Sequence, residues 1–436
     1  MPFRRLILAA ISAACALGTP IFAQTLQTEF EEDFTRTGGV FHSYEFHSIQ
    51  DTPAPEGYKP FYVSHYGRHG SRHQIGSGGT AAYERIARLD SAGLLTPAGK
   101  ELFKDVTALY NEHIGMDGEL SVRGGKEHVQ IAKRMYGRFT DAFTDPSRTE
   151  VHCQSSVVPR CLISMANFVT SLQDAVPALD FDFVTGKRYM EHIAHGGYTE
   201  DGDRQKRRQI FRSVMEQCVH PEDFINRNFI LSDNFADIAG DPYTFMHDFY
   251  MTAAIGQCLT EEVGVDLLKY LTDKEKTEMG LYLNAWVYGT FANSAEFGYK
   301  LSWGAKWLLD DFVQRADSAL AEGSSTAADL RFGHDGAILP MACLMGLENI
   351  SGTWPIAEAN LHFPAWKYIP MGTNLQMVFY RSGSGPVLVK ILYNEEETAI
   401  PAVPSFCGPY YRWDDLRTYF LSLSEDKSAP EPPHQK

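Results

Sequence analysis

An apolar run at residues 60–63 is followed by ten residues, SHYGRHGSRH, that hold three histidines, two arginines and two glycines. The run predicts a strand and the stretch beyond the motif a helix, so the motif is expected where a strand turns into a helix. Arg68 and Arg72 flank His69, and planar guanidinium groups bind phosphate oxygens in pairs. A neutral imidazole can attack phosphorus, and glycines let the backbone approach an anion. The segment therefore predicts a site for a phosphate group.

Two further charged groups follow strand-like runs. Arg160 comes after the run at 150–153, and His334 and Asp335 come after the run at 328–331. Additional strands are predicted at 376–381 and 387–393. Because ligands bind at the carboxyl ends of strands in an α/β sheet, we expect the three groups to converge there.

The chain is predicted to be an α/β protein with a mixed, mainly parallel sheet flanked by helices. Residues 24–186 and 294–423 form the discontinuous core in this interpretation, and 187–293 form an inserted α-helical lobe. Ser121 and the pair Asp241-Pro242 are predicted to begin helices. The polar, proline-rich residues 424–436 are expected to be a disordered tail.

The N-terminus is typical of a secretory signal peptide. Arg4 and Arg5 precede an apolar run at 6–18, and cleavage is expected near Ala23. A lipoprotein signal at Cys15 and a twin-arginine signal are the alternatives, and no segment is long enough to cross a bilayer. We therefore expect a secreted or periplasmic protein without an integral membrane segment. Some of the six remaining cysteines are expected to pair, and without a CxxC pair no structural zinc site is expected.

The formal net charge of −16 limits the possible partners. Such a chain is not expected to bind nucleic acid or anionic lipid non-specifically, so an anionic substrate needs a local cationic pocket. A small-molecule phosphate ester is the expected ligand, and the sequence leaves the oligomeric state open.

Taken together, the three motifs resemble the histidine phosphatase superfamily, in its acid phosphatase and phytase branch. Within that branch the chain looks most like bacterial multiple inositol polyphosphate phosphatases. The resemblance extends from about Tyr58 to Leu416 and includes the stretch LSVRGGKEH at 120–128. It also includes residues 374–376, 379–381, 389–395, 400–401 and 407–413.

The resemblance implies a phosphoglycerate mutase-like core and a phosphatase that needs no metal and no cofactor. It implies that His69 is the nucleophile of a phosphohistidine intermediate and that Asp335 protonates the leaving alcohol. The phosphoryl oxygens would be held by Arg68, Arg72, Arg160 and His334. The implied substrates are phytate or related sugar phosphates.

One departure from the family pattern affects the substrate. The inositol-polyphosphate type commonly carries His-Ala-Glu where this chain has His334, Asp335 and Gly336. His-Asp is the pattern of acid phosphatases, bacterial phytases and glucose-1-phosphatases. A broad-specificity acid phosphatase or a glucose-1-phosphatase is therefore the alternative within the family.

Three peripheral residues have two interpretations each. His73 contacts substrate or caps the turn, and Lys187 and Arg188 contact further phosphates or lie on a solvated face. The rival functions are a metal hydrolase using His65, His69 and His73, a mutase, and a non-catalytic phosphate- or polyanion-binding protein. A pure binder needs the arginines but neither a nucleophile nor an acid.

Overall fold

The computed structural model describes residues 21–47, 49–76, 78–193, 201–233, 235–298 and 300–424. One mixed sheet organises the described residues, with the order β3-β2-β4-β1-β5-β6-β7 and β8 paired with β6. Its strands are β1 (Lys59–Arg68), β2 (Glu150–Ser155), β3 (Asp180–Thr185), β4 (Thr326–Gly333), β5 (Asn374–Arg381), β6 (Leu388–Tyr393), β7 (Glu396–Glu397) and β8 (Tyr410–Arg412).

The parallel part of the sheet is β3-β2-β4-β1, and β5 and β6 add an antiparallel edge. The helices on either side make this an α/β protein, as predicted. The helices are α1 (Ile21–Glu32), α2 (Gly78–Ser91), α3 (Pro97–His113), α4 (Val122–Arg138), α5 (Thr140–Thr144), α6 (Pro159–Ala175), α7 (Met190–Ile193), α8 (Asp201–Cys218), α9 (Glu222–Asn228), α10 (Phe235–Ala239), α11 (Pro242–Ile255), α12 (Asp273–Phe291), α13 (Lys300–Trp303), α14 (Lys306–Leu320), α15 (Asp335–Leu344), α16 (Ala365–Tyr368) and α17 (Trp413–Ser424). Short 3-10 helices lie at Phe34–Phe41, Lys187–Tyr189, Gly256–Leu259, Leu268–Tyr270 and Ile356–Leu361.

Both faces of the sheet are buried. Tyr62 and Tyr66 of β1 pack into the cluster that includes residues of α11, α12, α14 and α15, whereas Val63 packs into the cluster with α4 and α6. In β5, Phe379 packs into the same cluster as Tyr62, and Val378 packs into the same cluster as Val63. Successive side chains of a strand point to opposite faces, so helices on both sides keep the central strands β1 and β4 out of water, whereas the edge strand β3 is exposed or half-buried.

The predicted strands and helix starts are confirmed. Four of the five predicted runs lie within β1, β2, β4 or β5, and the run at 387–393 covers β6 and starts one residue before it. The hydroxyl of Ser121 accepts the N–H of Gly124 at the start of α4, at 3.2 Å. The carboxylate of Asp241 accepts the N–H of Thr244 at the start of α11, at 2.9 Å. These bonds satisfy donors that an α-helix leaves unpaired in its first turn.

The position of the SHYGRHGSRH motif is partly wrong. Its first five residues belong to β1, which ends only at Arg68, and the next helix begins at Gly78. Ser64 and Gly67 look like turn residues, but both pair with β4 on one side and β5 on the other. The two hydrogen-bonded neighbours therefore override the local preference.

The helical region draws on two stretches of the chain. Helices α8 to α12 lie in the stretch predicted as an inserted lobe, and α2 and α3, which follow β1, pack against α9, α10 and α11. Leu102 of α3 and Phe224 of α9 belong to one buried cluster. The domain boundaries at 187 and 293 stay a prediction.

The expectation that some of the six cysteines form disulfides is wrong for five of them. Five cysteines of the described residues are free thiols, namely Cys153, Cys161, Cys258, Cys343 and Cys407. None of the helices in the described ranges has the length and apolar character that a membrane crossing needs. The predicted signal peptide falls mainly on residues 1–20 and the predicted tail on 425–436, both outside the described residues.

Candidate active site

The three sequence motifs meet at the carboxyl edge of the parallel strands. Arg68, the last residue of β1, pairs with Gly333, the last residue of β4. Ser155, the last residue of β2, pairs with Phe332. The residues that follow these strands are therefore neighbours in space.

The backbone of His69 is hydrogen-bonded to its neighbours on two sides. Its N–H donates to the carbonyl of Gly333 at 3.0 Å, and its carbonyl accepts the N–H of Gly372 at 3.0 Å. The ring Nδ1 lies 2.9 Å from the carbonyl of Gly70. A carbonyl only accepts, so Nδ1 carries the proton and Nε2 keeps its lone pair.

The surroundings of His69 keep its ring neutral. Burial lowers the pKa of His69 well below its usual range, and the positive charges of Arg68, Arg160 and Arg72 lower it further. The ring of His334 lies near by, with its centroid 5.7 Å from that of His69. A neutral, correctly tautomeric imidazole is the form that acts as a nucleophile.

Arg68 is fully buried and rigidly held. Its Nη1 donates to the carbonyls of Val40 and Ile369, both at 2.9 Å, and its Nη2 donates to Oδ2 of Asp335 at 2.8 Å. Three of its five N–H groups are thus assigned to partners. Burial lowers the pKa of Arg68, and Asp335 opposes that effect.

The guanidinium groups of Arg72 and Arg160 are less occupied. Nη1 of Arg72 donates to the carbonyl of His73 at 2.8 Å, and Nη1 of Arg160 donates to the carbonyl of Gly118 at 3.3 Å. Burial, followed by the charges of Arg68 and Arg160, lowers the pKa of Arg72 to about 9. That shift marks a buried cation beside two like charges.

Three buried donors point to an anion. The Nε–H groups of Arg68, Arg72 and Arg160 have no hydrogen-bond partner among the described residues. Burying an unpaired charged donor is costly, so such donors in one pocket fit a ligand with several acceptor oxygens. A tetrahedral phosphoryl group has this chemistry.

His334 and Asp335 begin α15 directly after β4. The N–H of His334 donates to the hydroxyl of Tyr66 at 2.9 Å, and its Nε2 lies 2.9 Å from the hydroxyl oxygen of Ser156. Burial and then the charge of Arg160 lower the pKa of His334 to about 4. His334 is therefore a neutral ring fixed beside His69.

Asp335 faces both cationic and polar groups. Its Oδ1 accepts the N–H of Gly336 at 2.8 Å, and its Oδ2 accepts from Arg68. Burial raises the pKa of Asp335, but the charges of Arg68 and Arg72 and the hydrogen bond from Gly336 outweigh burial and lower it. A proton donor needs a raised pKa, and at Asp335 this requires a bound dianion because the protein's own groups act the other way.

Of the three peripheral residues, His73 borders this cluster, since its carbonyl accepts from Arg72, whereas Lys187 and Arg188 have no described contact with it. The ring of His73 packs against that of His113, with centroids 5.5 Å apart. Lys187 and Arg188 are exposed in the short 3-10 helix after β3, where Arg188 donates to the hydroxyl of Tyr189 at 2.7 Å. No contact among the described residues joins Lys187 or Arg188 to His69.

A three-histidine metal site requires His65, His69 and His73 on one face of a helix, and this arrangement is wrong. His65 lies in β1, and its ring packs near Phe168 and Phe332 with centroids 5.1 and 5.4 Å away. His69 and His73 follow the strand and have the separate ring neighbours described above.

Two contacts of the site went unnoticed in the sequence. Tyr66 stands in the SHYGRHGSRH motif and Ser156 follows the run at 150–153, but nothing in their spacing assigns them to His334. Their positions at the ends of β1 and β2 are the only signal that could have found them.

No protein-family model and no curated protein matches this sequence. Solved structures do match. The multiple inositol polyphosphate phosphatase of Bifidobacterium longum, complexed with inositol hexasulfate, has a TM-score of 0.72 and 18% identity, over 88% of this chain and 97% of that one. The phytase from D. castellii has a TM-score of 0.67 and 14% identity, over 95% and 90% of the two chains. Hafnia alvei phytase with myo-inositol hexakis sulphate has a TM-score of 0.53 and 12% identity, over 87% and 99%.

Identities this low carry the fold and not the activity. The fold is shared with structures named inositol polyphosphate phosphatase or phytase over 87% to 95% of this chain. The resemblance that the motifs indicate, to the histidine acid phosphatase and phytase branch, is therefore confirmed at the level of the fold.

Proposed function

We propose that this protein is an exported phosphomonoesterase that hydrolyses inositol polyphosphates (phytate) or related sugar phosphates through a phosphohistidine at His69. One observation carries the proposal. Three guanidinium groups with unpaired, buried Nε–H donors surround a neutral imidazole whose Nε2 bears a lone pair. This combination suits phosphoryl transfer, in which positioning and charge neutralisation supply most of the rate.

In the first step, Nε2 of His69 attacks phosphorus and the bond from phosphorus to the ester oxygen breaks. Arg68, Arg72, Arg160 and His334 bind the equatorial oxygens, whose negative charge they neutralise. Asp335 gives its proton to the leaving oxygen, so an alcohol departs. The bound dianion offsets the charge of the same arginines that lower the pKa of Asp335, which raises that pKa toward the working range.

In the second step, water attacks the phosphohistidine. The Asp335 carboxylate takes a proton from the water, and the bond from phosphorus to Nε2 breaks. Inorganic phosphate and a neutral His69 result. Each proton is transferred by a group already at the site, so the proposed cycle uses neither a metal nor a cofactor.

The substrate class is supported by the likeness to a protein named multiple inositol polyphosphate phosphatase and to phytases. A broad-specificity acid phosphatase is the second candidate. It is favoured by the adjacent His334 and Asp335, since His-Asp is the pattern of acid phosphatases in the family that the motifs resemble. Export is supported by the sequence of residues 1–23.

A substrate panel with EDTA present tests the proposal. Phytate, glucose 1-phosphate and p-nitrophenyl phosphate are incubated with the wild type and with His69→Ala, and free phosphate is measured. An alkaline quench, which preserves phosphohistidine, followed by peptide mass spectrometry should place a phosphoryl group on His69. Phosphate binding without turnover of any ester would support the non-catalytic binder, and loss of activity in EDTA would support the metal hydrolase.

A further inference from the structure

Helix α4 lies in backbone contact with the turn that carries His69. The N–H of Ser121 donates to the carbonyl of Ser71 at 2.9 Å. A Cβ added to Gly70 would overlap the backbone of Gly124, and one added to Gly124 would overlap the carbonyl of Ser71. The glycines at both positions therefore allow an approach that any side chain would prevent.

Glu127, one helical turn beyond Gly124 in α4, binds Ser71 at the far end of the segment that carries His69. Its Oε2 accepts the N–H of Ser71 at 2.7 Å, and its Oε1 accepts the hydroxyl of Ser71 at 2.7 Å and the N–H of Tyr44 at 3.1 Å. Burial raises the pKa of Glu127, and these hydrogen bonds oppose that effect. Three donors converge on one carboxylate, and bonds of this kind to a charged acceptor are about twice as strong as neutral ones.

The next residue, His128, holds the near end. Its side chain is buried, and its Nε2 lies 3.1 Å from the carbonyl of Arg68. Burial lowers the pKa of His128 to about 4, so the ring carries a single proton. Because a carbonyl can only accept, that proton is on Nε2.

We propose that Glu127 and His128 are positioning residues for His69, and that together they fix both ends of the segment from Arg68 to Ser71. The proposal rests on the proposed function, because it assigns a role in the same reaction. Neither side chain contacts His69 itself; both act through the backbone on either side of it. A misplacement of about 1 Å can cost about 10²-fold in rate, which is the effect such a brace prevents.

Substitution of Glu127 by glutamine separates positioning from folding. Glutamine keeps the size of the side chain but offers one oxygen and an NH₂ group. The three donors of Ser71 and Tyr44 then meet one acceptor, and the NH₂ group faces at least one N–H. Ser71 is displaced, and with it Arg72, which follows directly in the chain.

Glu261→Gln is the matched control. Glu261 forms an ion pair with Lys126, the residue before Glu127, and both side chains lie toward solvent. The control removes the same charge from a carboxylate that contacts the surface of α4 from outside the helix, without touching the turn. His128→Phe and His128→Gln form a second pair, since phenylalanine removes the donor and glutamine restores an N–H.

The variants are compared by kcat and KM for p-nitrophenyl phosphate, by the Kd of inorganic phosphate from calorimetry, and by urea unfolding. We expect Glu127→Gln to lower kcat by about 10- to 100-fold at a temperature where it is fully folded, and to weaken phosphate binding. Glu261→Gln should match the wild type. His128→Phe should lower kcat, and His128→Gln should recover part of it.

A purely structural role predicts something else. If Glu127→Gln lowers only the unfolding midpoint and keeps kcat and the phosphate Kd within about twofold of the wild type, the proposal is overturned. If the wild type turns over no ester, the proposed function fails instead. The phosphate Kd still decides the present proposal in that case, because displacement of Arg72 weakens binding with or without chemistry.

Discussion

Asp335→Asn tests the proton donor directly. The substitution keeps the shape of the side chain but removes the proton that the leaving alcohol requires. Arg68 should stay in place in this variant, because its Nη1 remains bonded to the carbonyls of Val40 and Ile369. His69 should also remain neutral, since burial and the arginines lower its pKa. The change therefore isolates proton donation from phosphate binding.

The expected loss depends on the leaving group. General acid catalysis contributes about 10²- to 10⁴-fold, so kcat/KM for glucose 1-phosphate should fall by that factor, which is about 2.7–5.4 kcal/mol. The phenolate released from p-nitrophenyl phosphate is stable without a proton. Its kcat/KM should fall by less than about tenfold.

Asp311→Asn is the matched control for this experiment. Asp311 accepts from Nε of Arg331 at 2.5 Å, so it is also a carboxylate that pairs with a buried arginine, but in a different network. Any effect of the control should be equal for the two substrates. An equal fractional loss on both substrates in Asp335→Asn would refute the assignment of Asp335 as the donor.

Three further outcomes are expected. The pKa values of His113, His128 and His334 are each lowered to about 4, so the unfolded chain binds more protons than the folded one below about pH 6.5. The free energy of unfolding from urea titrations should therefore fall from pH 6.5 to pH 4, by up to about 1.4 kcal/mol per pH unit per histidine. The variant His113→Gln should reduce the slope of this pH dependence. Inorganic phosphate should raise the Tm of the wild type, by an amount that corresponds to about 2.7 kcal/mol at 100 times Kd. Arg160→Ala should lose most of this rise in Tm. Sodium chloride at equal ionic strength should not reproduce it. Ser121→Ala should cost about 0.5–2 kcal/mol in urea unfolding because it removes the cap of α4, and Ser91→Ala, at an exposed position, should cost less.

Part of the fold could be predicted because it follows local patterns. Apolar runs mark β2, β4, β5 and β6, and hydroxyl or carboxylate caps mark the starts of α4 and α11. The strand β3 could not be predicted in this way. Its residues, DFDFVT, are exposed or half-buried on both faces, so they lack the apolar run of a central strand. Strand β3 forms only because β2 offers it a parallel partner.

The candidate site, like the fold, could be predicted only in part. The order of strand ends and charged side chains predicts that Arg68, Arg160 and His334 come together, because carboxyl ends of parallel strands share an edge. The carbonyls of Val40 and Ile369, which hold Arg68, lie 28 and 301 residues away in the chain. A backbone carbonyl carries no side-chain signal, so only the tertiary structure reveals these partners.

The charge balance of the pocket explains how a chain with a net charge of −16 can attract an anion. Acids farther than about 8 Å from the pocket are largely screened at physiological ionic strength, so the nearest groups decide the local potential. Among the described residues, Arg68 is ion-paired with Asp335, while Arg72 and Arg160 have no ion pair. Two guanidinium groups without an ion pair among the described residues thus lie beside a neutral His69, and the carboxylates near them, Asp335 and Glu127, are bonded to Arg68 and to Ser71. A phosphomonoester dianion matches both charges, whereas a phosphodiester carries one negative charge and leaves a buried guanidinium uncompensated. Burial and the neighbouring guanidinium groups lower the pKa of Arg72, and we expect this cationic pocket to favour monoesters over diesters before any contact with the rest of the substrate is made.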